Sequence, residues 1–214
     1  STTLKSARGM STFDFDETLI VDGENFIVAK KGDEEIKISS GRWPIDGPVL
    51  ADQGYSFDFT DFVNVRGGVN GPLLTKFKER LEKFGPENMF VLTARPQQSA
   101  EAIHGWLKSK GLTIPLANIT GLGNSTGEAK AEWMLKKFEE GYNDMYFVDD
   151  ALPNVDAVKN VLDQLDIKSD VQQAITLKSE RNSIEFNKML ERTKGVGAQK
   201  TFSRVEAMKR GKNV

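Results

Sequence analysis

The stretch Met10-Ser-Thr-Phe-Asp-Phe-Asp-Glu-Thr-Leu-Ile20 decides how this chain is read. Phe13 and Phe15 alternate with Asp14 and Asp16, a period of two that suits a strand running out into a loop. Two carboxylates separated by one residue make chemical sense at a strand end. The backbone turns there, so a side chain and a nearby carbonyl oxygen can meet around one cation. Hard oxygen donors suit Mg²⁺, which keeps several waters and takes only one or two protein carboxylates. An ionised Asp is also a nucleophile in its own right, as in enzymes that pass through an aspartyl-phosphate. A solvated acidic turn would carry the same letters. A chain with this share of Asp and Thr holds D-x-D-x-T by chance well under once, so the motif alone is only suggestive.

Its companions are more telling. Val91-Leu-Thr93-Ala-Arg95 is an apolar strand ending in Thr, Lys130 opens a helix, and Tyr146-Phe-Val-Asp149-Asp150 is an apolar strand ending in two acids. In that order, over residues 10–154, the chain resembles the haloacid dehalogenase-like superfamily, whose commonest members are Mg²⁺-dependent phosphatases. The resemblance implies that Asp14 attacks phosphorus. It also implies that Asp16 protonates the leaving oxygen and then activates the water that hydrolyses an aspartyl-phosphate. Thr93 would hydrogen-bond the phosphoryl oxygens that are not transferred, and Lys130 would neutralise charge that builds on the phosphoryl group.

The same resemblance implies Mg²⁺ as cofactor, held by Asp14, the carbonyl of Asp16 and an acid of the Asp149–Asp150 pair. Asp150 is favoured as the direct ligand, because Asn154 lies four residues on, the superfamily's spacing for a supporting group. Asp149 would then hold Lys130 or a water. Lys136 and Lys137 compete with Lys130, which is preferred because it opens the helix and precedes Asp149 by nineteen residues. Without the other motifs, Thr93 would read as an ordinary strand-end residue and Lys130 as a surface lysine. Thr18 is expected to cap or orient the loop, and Arg95 to reach either substrate or a carboxylate. His104, the one histidine, stands beside Trp106 as packing; the mechanism needs no histidine.

Composition narrows the field. With 214 residues, 38% hydrophobic and 28% charged, the chain suits an ordinary globular domain with an insert and a tail. A net charge of −2 gives no global pull toward nucleic acid or membrane. No cysteine means no disulfide and no thiolate metal site. No apolar run approaches the length of a membrane span, and no signal peptide is visible. The expected compartment is therefore the cytoplasm, that of the host cell if the chain is phage-encoded.

Residues 1–9 carry no pattern and read as a mobile lead-in. Residues 22–68 precede the return of regular βα alternation and are expected to form a small β-rich cap inserted after the first strand. There Phe26–Lys30 and Ile36–Ser39 flank a hairpin turn, while Gly, Pro and aromatics from Gly41 to Phe62 read as loops and a short strand. From Leu73 onward, helical periods alternate with short apolar strands. That alternation predicts an α/β fold, a Rossmann-like parallel sheet flanked by helices, over residues 9–177.

Residues 178–214 hold ten Lys or Arg against four Glu and are expected to form a basic helical tail or linker. A solvated tail is the plain reading, and a nucleic-acid contact the sharper one. The run Leu190-Glu-Arg-Thr-Lys-Gly-Val-Gly-Ala also resembles the segment that follows phosphatase-like domains in large bacteriophage multi-domain proteins. The expected activity is thus hydrolysis of a phosphomonoester, with a nucleotide or nucleic-acid end, a sugar phosphate or a phosphoprotein as substrate. Two alternatives stand beside it: a phosphotransferase or mutase, and a non-catalytic ligand-binding module of a larger phage protein.

Overall fold

The computed structural model describes residues 6–175. In chain order its strands are β1 (Gly9–Phe13), β2 (Ile20–Gly23), β3 (Phe26–Lys31), β4 (Glu34–Ser39), β5 (Ser56–Asp58) and β6 (Gly67–Asn70). They continue as β7 (Met89–Thr93), β8 (Ile119–Gly121), β9 (Asp144–Asp149) and β10 (Lys168–Gln173). The helices are α1 (Trp43–Asp52), α2 (Leu74–Phe84), α3 (Ala100–Ser109), α4 (Gly127–Glu139) and α5 (Leu152–Leu162). Among these, no helix is long and apolar enough to cross a membrane.

Five parallel strands form the main sheet in the order β10-β9-β1-β7-β8. Each successive strand is joined by a helix, and the helices cover both faces, which makes the chain a Rossmann-like α/β protein. Phe13, Val91, Tyr146 and Val148 pack toward Phe77, Ile103 and Leu107 of α2 and α3. Met10, Phe90, Leu92 and Phe147 pack toward Met134, Val158 and Leu162 of α4 and α5. The alternation along each strand is what sends neighbours to opposite cores.

The chain steps from β1 to β7 and β8 on one side, then crosses back to β9 on the other. The strand order therefore reverses between β1 and β9, the place where such sheets open a crevice beyond their carboxyl ends. Register decides what lines it. Phe13 lies opposite both Val91 and Val148, so Asp14 and Asp149 leave the sheet at the same level and Thr93 one residue beyond them.

The weakly apolar strand β1 is nonetheless the central one. Its Ser11 and Thr12 are buried. Arg80 of α2 donates from Nε to Ser11 Oγ at 2.7 Å and lays its guanidinium 3.9 Å from the centre of the Tyr146 ring. Thr12 Oγ1 has no hydrogen-bond partner among the described residues, a deficit worth about 1–3 kcal/mol.

Just after the first motif the chain leaves the core on an antiparallel ribbon, with Ile20 opposite Asn70 and Gly23 opposite Gly67. Between the two ribbon strands lie α1 and a second antiparallel sheet, β4-β3-β5. The expected hairpin is present, with Lys31 opposite Glu34 and Gly32 left-handed at φ 58°. The expected loop after Gly41 is not: residues 43–52 are helix α1. Pro44, Gly47 and Pro48 read as breakers; Pro44 falls in the first turn and removes no helical hydrogen bond, whereas Pro48 lies inside the helix and does. Gly47 is there because the Trp43 ring lies over it; a Cβ would sit 2.9 Å from that ring. Trp43 in turn packs edge-on against Phe57 and Phe59, with centroids 4.8 and 5.1 Å away. These contacts hold the helix against the insert's sheet despite its weak local signal.

One smaller correction concerns the lead-in. Arg8 is anchored rather than part of a loose lead-in: its N–H donates to Asn143 Oδ1 at 2.7 Å and its guanidinium stacks on Tyr142 at 4.1 Å. Helix α5 starts at Leu152, with Pro153 in its first turn. The basic segment 178–214 lies outside the described residues.

Candidate functional site

Asp14 follows directly on β1, its N–H donating to Val148 O at 2.9 Å, which fixes it beside the end of β9. Asp149 ends β9 and Asp150 comes next. Each of Asp14, Asp149 and Asp150 offers a carboxylate oxygen, all within 4.8 Å of one another, and all three residues are buried. Lys130 reaches them from the first turn of α4. Its Nζ donates to Asp14 Oδ1 at 2.9 Å, to Asp149 Oδ2 at 2.6 Å and to Leu92 O at 3.2 Å. With its side chain only 1% exposed, all three ammonium hydrogens are thereby matched.

Helix α4 is aimed by its start. Thr126 caps it by accepting from Ala129 N at 3.3 Å. Gly127 lets it close on α5, where a Cβ would lie 2.6 Å from Pro153 O.

Among the described residues, the ammonium of Lys130 lies between two of the three buried carboxylates, Asp14 and Asp149. Burial pushes Asp14 up from its ordinary 3.8 to about 7, and repulsion from Asp149 adds to it, while Lys130 opposes the rise. For Lys130, burial works against the charge, but attraction to Asp14 and Asp149 outweighs it and raises the ammonium above its ordinary value. The lysine therefore stays charged, and the three carboxylates beside it lie close enough together to hold a cation. The donors fit a hard one. They are all oxygens, the chain has no cysteine, and its single histidine is turned to Ile114 O at 3.0 Å.

Asp149 is held at both of its carboxylate oxygens. Its Oδ1 accepts from Ala151 N at 2.9 Å, and its Oδ2 accepts from Asn154 Nδ2 at 3.1 Å as well as from Lys130. Asn154 thus serves Asp149, not Asp150 as the spacing suggested. Because α5 begins at Leu152, its early side chains lean back toward the strand end.

The remaining residues arrange themselves around this cluster. Thr18 Oγ1 donates to Asp14 Oδ2 at 3.3 Å. Thr93 is buried, and its Oγ1 accepts the Arg95 N–H at 3.1 Å. Asp16 stands apart, its carboxylate outside the metal-competent trio. It lies within the turn in which Phe15 O accepts from Leu19 N, and Glu17 after it is left-handed at φ 60°. Both Asp16 oxygens accept from Arg95, Oδ2 from Nε at 2.8 Å and Oδ1 from Nη2 at 2.7 Å. Of the two partners left open for Arg95, the structure supplies the carboxylate.

One residue escaped notice in the sequence. Asn25 is buried in the insert, and its Oδ1 accepts from Arg95 Nη2 at 3.0 Å. Its amide donates to Asp61 Oδ2 at 2.9 Å and to Asn64 O at 3.0 Å. In Gly-Glu-Asn-Phe it looks like a turn residue, and no local signal marks it.

No family model and no curated protein matches this chain. Among solved structures, one of DsGPDH of Dunaliella salina aligns with 72% of this chain and 22% of that one, at 18% identity and a TM-score of 0.37. The chain thus spans about a fifth of that protein's length. So slight a likeness carries no argument about chemistry.

Proposed function

We propose that the protein is a Mg²⁺-dependent phosphomonoester hydrolase of the haloacid dehalogenase-like kind, working through an aspartyl-phosphate on Asp14. The observation that carries this reading is the ammonium of Lys130 shared between Asp14 and Asp149 within a buried carboxylate trio at the switch point of the sheet. Asp14, Asp150 and Asp149, with the carbonyl of Asp16, would hold the cation. When bound, it supplies the positive charge that lets a carboxylate approach a phosphomonoester dianion.

The rest is the work of the chain's own groups. Asp14 attacks phosphorus as Thr18 and Lys130 hold its carboxylate in place. Asp16 gives the departing ester oxygen a proton, then takes one from the water that cleaves the acyl phosphate. Thr93 directs its hydroxyl at a phosphoryl oxygen, and Lys130 offsets charge gathered on the phosphoryl group. The basic residues 178–214 favour a nucleotide or nucleic-acid end as substrate.

Phosphate release from an aryl phosphate, with and without Mg²⁺, tests the activity. Release that depends on Mg²⁺ is expected; a clean preparation with no release from any ester in a panel including 3′-phosphorylated oligonucleotides overturns the reading. A non-catalytic ligand-binding module is the second reading, favoured by the full engagement of Asp16 with Arg95.

A further inference from the structure

Arg95 has a third set of partners. Beyond Asp16 and Asn25, its Nη1 donates to Asn64 O at 2.6 Å and to Phe62 O at 3.3 Å. All five N–H donors of the guanidinium are then matched: two on Asp16, one on Asn25 and two on insert carbonyls. Its plane lies between the rings of Phe15 and Phe62, 5.3 and 5.1 Å from their centres. The side chain is 3% exposed, whereas that of Asp16 is 40% exposed and open to the crevice. An arginine so committed has no donor to give a substrate phosphoryl group without breaking a bond it already makes.

We infer that Arg95 is a positioning residue through which the seating of the insert sets the orientation of Asp16. The inference rests on the acid–base role proposed for Asp16 and adds the control of that role by residues 25 and 62–64. Both fixed points of the guanidinium fork matter. On one side it holds a bidentate carboxylate, which permits one orientation of the acid. On the other it is held by backbone carbonyls and by Asn25, whose own amide is fixed by Asp61 and Asn64. A shift of residues 62–64 must therefore move the guanidinium, and with it Asp16. The hydrogen bonds of Arg95 to Asp16, Asn25 and residues 62–64 bypass Asp14 and Lys130, and only the charge of Asp16 is felt at Asp14, so the coupling acts chiefly on the proton-transfer half of the site.

The test compares alkyl with aryl phosphates in Arg95→Gln, Arg95→Lys and Asn25→Ala. Roughly a 10²-fold loss in kcat is expected for Arg95→Gln on alkyl esters, whose leaving oxygen needs a proton. The loss on aryl esters with good leaving groups should be less than about tenfold. Asn25→Ala should show the same bias more weakly. Arg95→Lys should rescue little, since an ammonium cannot reproduce the fork. Arg95→Gln placed in an Asp16→Asn background should cost nothing further, as expected of two residues acting as one unit.

Equal losses on both ester classes, a change in KM alone, or additive losses in the double variant would overturn the inference. Should Arg95→Gln fail to fold, Asn25→Ala carries the same comparison. Hydrogen exchange supplies a readout that needs no turnover: Asp16→Asn should speed exchange at residues 62–66 while β1 and β9 stay protected. Unchanged exchange there refutes the coupling. A wild-type protein inert toward every ester, with the exchange response present, defeats the phosphatase reading instead.

Discussion

Asp14 sits where burial and charge pull against each other, and this gives a prediction in pH. Its folded pKa of about 7 lies above the ordinary 3.8, so between those values the native state keeps a proton that the unfolded chain has lost. In the absence of divalent cation, stability should fall as pH rises from about 4 to about 7. The sign follows from the native state binding more protons than the unfolded one. Thermal melts across that range should show a downward slope that Asp14→Asn removes and Mg²⁺ flattens; a slope unchanged by the substitution would count against the assignment.

Asp149 and Asp150 should separate by what they lose. Asp149→Ala leaves Lys130, Ala151 N–H and Asn154 short of a partner and should cost about 3–5 kcal/mol of stability, measured by denaturant unfolding. Asp150→Ala should weaken Mg²⁺ binding more than it weakens the fold, as titration calorimetry would show. The reverse pattern would exchange the two roles.

Among the elements, the strands were the most legible. Met89–Thr93 is an unbroken apolar run stopped by a polar residue, the usual appearance of a strand buried on both faces, whereas the central β1 carries buried Ser11 and Thr12 and showed itself by its acidic end instead. Helix α1 was illegible for the opposite reason. Its two prolines and Gly47 are local breakers, and only the distant rings of Phe57 and Phe59 make the turn around Trp43 worthwhile. Within the site, the carboxylates and Lys130 could be placed from strand ends and helix starts. The bond from Arg95 to Asp16 spans 79 residues, and no spacing rule reports a pairing of that kind. The start of α4 gives an element-scale prediction. Gly127→Ala would push a Cβ against Pro153 O and Ala157, parting α4 from α5 and displacing Lys130. A loss of about 1–3 kcal/mol is expected, with a fall in activity larger than the same loss of stability causes elsewhere. Wild-type activity and stability in that variant would show that the close approach is dispensable.

At the scale of the whole molecule, the insert meets the core through the β2–β6 ribbon, through the Arg95 guanidinium and through Val65, which packs against the core. Replacing residues 24–66 with a tight turn between β2 and β6 should leave the parallel sheet folded, because no strand of that sheet comes from the insert. Mg²⁺ binding should survive, since Asp14, Asp149 and Asp150 all lie in the core. Ester preference should shift toward good leaving groups as Asp16 loses its fixed neighbour. A trimmed protein that unfolds, or that keeps the full-length preference, would show the insert to be part of the core or irrelevant to the chemistry.

The proposed chemistry depends on Asp14 as the group that takes the phosphoryl. The most direct measurement is mass spectrometry of the protein quenched in acid during turnover of an aryl phosphate with Mg²⁺. One phosphoryl group is predicted on the peptide that contains Asp14, absent without Mg²⁺ and absent in Asp14→Asn, which should also be inactive. Turnover retained by Asp14→Asn, or a phosphoryl group on any other peptide, would contradict the account.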